Sequence, residues 1–109
     1  MISLISGDGP ASIISSPSMD TALSRIFMIK NKFGLHARPS ASFVQTATRF
    51  HSEIKVEKDG LVADGKSILD LMMLAAAQGT QITIKAQGGD AQEALKALGD
   101  LIEGRFGED

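Results

Sequence analysis

The chain has no cysteine, tryptophan or tyrosine among its 109 residues. Without cysteine there can be neither a disulfide nor a thiolate metal site, and the composition fits a reducing, cytoplasmic setting. His36 and His51 are the only histidines, so a His-rich metal centre is not expected either. Five phenylalanines are the only aromatics, and the net charge is −2 with both signs interspersed. Few rings for base stacking and no basic field argue against a nucleic-acid binder. No apolar run is long enough to insert across a membrane. What remains is an ordinary globular composition, 43% hydrophobic and 22% charged, long enough for one core.

Residues 1–24 make a poor signal peptide. They lack a basic start, and Gly7-Asp8-Gly9-Pro10 interrupts the apolar residues Ile2, Leu4 and Ile5. Serine, glycine and proline enrichment through Ser18 predicts a flexible N-terminal extension. The folded domain is expected over residues 25–109.

The pattern beyond residue 24 alternates strands and helices. Arg25–Lys30 is a short apolar run that predicts a strand, with Phe27 and Ile29 on one face and Ile26 and Met28 on the other. A helix is expected from about His36 to about Phe50, its stripe formed by Ala37, Ala41, Val44, Ala47 and Phe50 and widened by Phe43. Glu53–Lys58 alternates with period two and should bury Ile54 and Val56. Asp59-Gly60 signals a hairpin returning through Leu61–Ala63. Ser67 is a good N-cap for a short helix from Ile68, expected to stop near Gly79. Gln81–Lys85 predicts a fourth strand. Asp90 is expected to cap a last helix with Ala91, Ala94, Leu95, Leu98, Leu101 and Ile102 on one stripe. The order β-α-β-β-α-β-α fits an α+β fold, with one antiparallel sheet carrying the helices on one face.

Chemistry concentrates in Gly34-Leu35-His36-Ala37-Arg38-Pro39-Ser40, at a helix start. Helix starts offer unpaired N–H groups and the positive end of the macrodipole, so they hold anions such as phosphate. An imidazole there has a ring nitrogen that is a competent neutral nucleophile near pH 7. The N–H groups of Ala37 and Arg38 are candidate phosphate ligands, whereas Pro39 has none to offer. The Arg38 guanidinium suits pairing with phosphate oxygens, and Ser40 could add a hydroxyl contact.

This motif resembles the active-site motif of the HPr family of phosphocarrier proteins. Gly65-Lys66-Ser67-Ile68, followed by Leu71-Met72-Met73-Leu74, resembles the family's second signature, and Gln78-Gly79-Thr80 and the last helix also match. The resemblance covers residues 25–109. It implies an open-faced β-sandwich, with a four-stranded antiparallel sheet and three helices on one face. It also implies a carrier in the phosphoenolpyruvate-dependent phosphotransferase system. Enzyme I would phosphorylate His36 on Nδ1, Arg38 would stabilise the phosphate, and an enzyme IIA protein would receive it. No cofactor is implied, and the chain would act as a stoichiometric carrier rather than as an enzyme that turns over a substrate. The sugar and nitrogen branches both stay open, with Met72-Met73-Leu74 and the Arg105–Asp109 ending leaning toward the nitrogen branch.

Ser67 has a second reading beside capping. The resemblance implies regulatory phosphorylation there by an HPr kinase/phosphorylase, and Asp70 departs from the small residue that relatives carry. Ile68, Leu69, Leu71, Met72, Met73 and Leu74 are more apolar residues than one core-facing stripe needs, so an apolar patch is expected. Leu69, Met72 and Met73 are the expected exposed members. With Ile68, and with Ala37 and Ala41 of the first helix, they form the candidate partner surface. A regulatory docking protein, switched by phosphorylation at His36 or Ser67, is the alternative function. On the first strand, one of the two pairs, Phe27 with Ile29 or Ile26 with Met28, is expected to face the core; the other, on the open face of the sheet, is expected to receive the extension through Ile13 and Ile14, or to mediate self-association.

Overall fold

The computed structural model describes residues 22–108. Strand β1 spans Ala22–Met28, helix α1 Ala37–Ala47, β2 Glu53–Lys58 and β3 Leu61–Asp64. Helix α2 spans Ile68–Met73, β4 Gln81–Gln87 and α3 Ala91–Glu103, and a single turn follows over Arg105–Gly107. The four strands form one antiparallel sheet in the order β1-β4-β2-β3. Three helices cover one face, which gives the expected α+β open-faced sandwich.

Strand alternation decides what is buried. Phe27 pairs with Ile82, and Val56 pairs with both Ile84 and Ala63. All point into the core, where Ile54, Val56, Ile82 and Ile84 are essentially inaccessible. The helices add Phe43, Leu71, Leu95, Leu98 and Ile102 to this cluster. Gly99 lets α3 approach β1 closely: a Cβ there would lie 2.8 Å from the Phe27 ring. Phe27 and Ile29 supply the buried face of the first strand region, leaving Ile26 and Met28 exposed on the open face.

Four local expectations need correction. Residues 22–24, expected in the extension, are the first part of β1, because Lys85, Ala86 and Gln87 of β4 pair with Ser24, Leu23 and Ala22. The rest of the extension, with Ile13 and Ile14, lies outside the described residues. Helix α1 buries Pro39, Ser40, Phe43 and Ala47, while Ala37 is exposed. The helix turns toward the larger apolar surface of Phe43, whose burial outweighs that of an alanine. Helix α2 ends at Met73 rather than near Gly79. Ala75 adopts φ 52°, and the Lys58 ammonium donates to the Leu74 carbonyl at 3.0 Å, which closes the helix early. Gly79, at φ 86°, instead donates its N–H to Ile29 O at 2.8 Å.

The fourth correction concerns Asp90. It occupies the N-cap position of α3 but makes no side-chain cap bond. Its carboxylate reaches across to the start of β2 and accepts from the N–H groups of His51 (2.8 Å) and Ser52 (2.9 Å) and from the Ser52 hydroxyl. By contrast, Ser67 caps α2 as expected, accepting from the Asp70 N–H at 3.2 Å.

Candidate functional site: a histidine at a helix start

The loop before α1 is shaped by Gly34. It has φ 67°, and a Cβ there would lie 2.2 Å from the Ala76 carbonyl oxygen. Next along the chain, Leu35 donates its N–H to that same oxygen at 2.9 Å and buries its side chain. The loop is thereby pinned to the segment after α2, and His36 emerges as the N-cap residue in extended conformation (φ −78°, ψ −170°). Its carbonyl takes the first intrahelical bond, from the Ser40 N–H at 3.0 Å. Its ring makes no capping bond and is left for other work.

Ala37 and Arg38 are exposed in the first turn, where N–H groups have no intrahelical acceptor. Pro39 is buried and contributes no donor. Ser40 does not join them: it is fully buried and donates its hydroxyl to Leu35 O at 3.1 Å. It braces the loop instead of facing an anion.

His36, Ala37 and Arg38 line a cleft of about 640 Å³ together with Lys32, Phe33, Gly107 and Glu108. The Phe33 ring meets the imidazole edge-on at 6.0 Å, and the Lys32 ammonium lies 5.4 Å over the Phe33 ring. Lys32 and Arg38 give the cleft two fixed cations. A larger groove, about 980 Å³, runs between β1 and α3, but none of the motif residues line it. The smaller cleft is the one that holds the histidine.

Two residues at the histidine, Glu108 and Asn31, escaped the sequence reading. His36 Nε2 lies 3.2 and 3.1 Å from Oε1 and Oε2 of Glu108, 72 residues away. Behind that carboxylate sits Asn31, fully buried, whose amide donates to Glu108 Oε1 at 3.0 Å and to Gly34 O at 2.8 Å. Burial would raise the Glu108 carboxyl, but the hydrogen bonds from His36 and Asn31 and the charges of His36 and Arg38 outweigh it. The group is held below its ordinary 4.5. A glycine just before the acid, Gly107, was the one local sign that the chain turns back here.

Elsewhere the expected residues are on the surface. Ile68, Leu69, Met72 and Met73 are exposed on α2, with Leu69 at 67% and Met73 at 71%, while Leu71 and Leu74 are buried beneath them. Ala41 on α1 is half-buried, and α1 packs against α2. The Ser67 loop is tied to the end of α1 by the Lys66 ammonium, which donates to Phe50 O at 2.9 Å. Two carboxylates flank it: Asp64 accepts from the Lys66 N–H, and Asp70 accepts from the Asp64 N–H. His51 is exposed and lies outside the cleft. Among the described residues, no helix is long and apolar enough to cross a membrane.

Residues 23–104 match the family described as PTS HPr component phosphorylation site. Over 86 residues the chain is 54% identical to a phosphocarrier protein HPr of Neisseria meningitidis, a match covering 79% of this chain and 97% of that one. It is 53% identical over 75 residues to the HPr-like protein Crh of Halalkalibacterium halodurans, covering 69% of this chain and 89% of the relative. Among solved structures, HPr-C-His from Thermoanaerobacter tengcongensis superposes with a TM-score of 0.77 at 52% identity. That match covers 80% of this chain and 98% of that one.

Proposed function

The chain belongs to the HPr family of phosphocarrier proteins, and on that premise we propose that His36 accepts a phosphoryl group on Nδ1 from enzyme I and passes it to an enzyme IIA protein. The observation that carries this reading is the imidazole at the start of α1, beside an exposed Arg38 and the first-turn N–H groups of Ala37 and Arg38. As the Nδ1–P bond forms, the bond from phosphorus to the donor breaks, and its electron pair stays with the donor. The phosphate oxygens meet the helix-end donors and the Arg38 guanidinium. Most of the work is positioning and electrostatics. An exposed, adjustable Arg38 suits a carrier, because the group must leave again. The protein acts stoichiometrically, without a cofactor, in the cytoplasm.

Docking of enzyme I and enzyme IIA falls to the patch of Ile68, Leu69, Met72 and Met73 with Ala37 and Ala41 of α1. Exposed methionine and leucine beside the histidine-bearing helix support that assignment. Ser67 phosphorylation by an HPr kinase/phosphorylase would add negative charge beside this patch, the basis of the alternative docking-regulator reading. Against that alternative stand Asp64 and Asp70, whose carboxylates already flank the serine.

The test is intact-mass analysis after incubation with enzyme I and phosphoenolpyruvate, for the wild type and His36→Ala. One acid-labile phosphoryl group, absent in the variant, is expected. A folded wild type that accepts none from several enzyme I proteins would move the assignment to docking regulation.

A further inference from the structure

The structure places a carboxylate on the histidine at visible structural cost. Between α3 and Glu108, three consecutive residues adopt positive φ: Arg105 (57°), Phe106 (55°) and Gly107 (75°). Two of them carry side chains, for which the left-handed region is unfavourable. Phe106 holds the turn by burying its ring in the core. Asn31 is also costly: its Oδ1 is buried with no hydrogen-bond partner among the described residues, while its amide group serves Gly34 O and Glu108. Both features aim the Glu108 carboxylate at one atom, His36 Nε2, at 3.1 Å.

We propose that Glu108 is a positioning residue for phosphoryl transfer: it accepts the Nε2 proton of His36, leaving the Nδ1 lone pair free as the nucleophile, and it balances the charge that the ring gains. The inference rests on the proposed carrier role of His36. A carboxylate is an acceptor only, so the contact requires the proton on Nε2. The neutral ring then has its lone pair on Nδ1. When that pair forms the N–P bond and the donor's bond to phosphorus breaks, the Nε2 proton stays in place and the ring becomes a cation. Glu108 faces this new charge, so its contact is stronger after transfer begins than before. The other charged groups lining the cleft, Lys32 and Arg38, are cations that suit the phosphate rather than the ring. Asn31 holds the carboxylate from the far side, completing a chain Asn31–Glu108–His36.

Nitrogen NMR of the His36 ring in the full chain tests this, with Glu108→Ala and Glu108→Gln beside the wild type. The wild-type neutral ring should carry its proton on Nε2, with slowed exchange. In Glu108→Ala that proton should exchange at least about ten-fold faster, and acceptance of phosphoryl from enzyme I and phosphoenolpyruvate should slow about ten-fold. Glu108→Gln should restore the ring proton's protection, since the amide oxygen still accepts, but not the rate, since the charge is gone. A wild-type ring protonated on Nδ1, or an unchanged transfer rate in Glu108→Ala, overturns the proposal. A wild type that accepts no phosphoryl group at all defeats the carrier reading instead, and the ring spectrum still shows which nitrogen holds the proton.

Discussion

The Asp90 carboxylate grips Ser52 twice, through its N–H and its hydroxyl, and so clasps the start of α3 to the start of β2. Ser52 is itself buried, with 1% of its surface exposed. The bonds from the Ser52 hydroxyl and the His51 N–H depress the Asp90 carboxyl from the ordinary 3.8 to about 2. Replacing Asp90 by alanine would leave the buried Ser52 N–H without its partner, at a cost of about 1–3 kcal/mol. Because the folded-state value is depressed, this contribution is fully present above pH 3.8 and is lost as pH falls toward about 2. Denaturant titrations of wild type and Asp90→Ala across that window should converge at the acid end. A difference that does not change with pH would refute the charged clasp.

Gly34→Ala should damage both the fold and the site. The new methyl would sit 2.2 Å from Ala76 O, at a backbone angle unfavourable for alanine. The expected loss is at least about 2 kcal/mol, read from the denaturation midpoint. Because the same carbonyl holds the Leu35 N–H, His36 should also shift, and its phosphorylation should slow even under conditions where the variant is fully folded.

Ser67→Ala removes the acceptor for the Asp70 N–H. Thermal unfolding should report a loss of about 1 kcal/mol, the usual worth of an N-cap. A loss near zero would mean that the bond from Lys66 to Phe50 O holds α2 without help from the cap.

Leu69→Lys with Met73→Lys separates docking from folding. Both side chains are mostly exposed, so stability should change by less than about 0.5 kcal/mol per site. Phosphoryl acceptance from enzyme I should nonetheless fall roughly ten-fold or more if these residues anchor the partner. An unchanged transfer rate would remove α2 from the docking surface.

Residues whose roles depend on near neighbours were legible from the order of amino acids. Period-two alternation identified Ile54 and Val56 as core residues, Asp59-Gly60 marked the hairpin, and Ser67 announced its cap. The motif around His36 and Arg38 was readable for the same reason: a helix start has a local grammar of loop glycine, capping residue and first-turn proline. Reading failed where a side chain had two partners to choose from. Asp90 looked like a cap because aspartate at that position usually is one, yet the fold presented it with the N–H groups of His51 and Ser52. Gly79 looked like a helix end, but α2 had already stopped, with Lys58 of a neighbouring strand reaching the Leu74 and Ala75 carbonyls just past its end.

The sequence alone determined the element order, the inward face of β2 and the position of the nucleophile candidate. These follow from backbone propensity and burial periodicity, which act over a few residues. Only the tertiary structure decided that Glu108 meets His36, with Asn31 behind it. That contact joins residues 72 positions apart. It depends on a left-handed turn at Arg105 and Phe106, held open by the burial of Phe106 in the core. Apart from Gly107, no local pattern signals such a turn, because its cost is offset by packing that exists only once the sheet and helices have assembled.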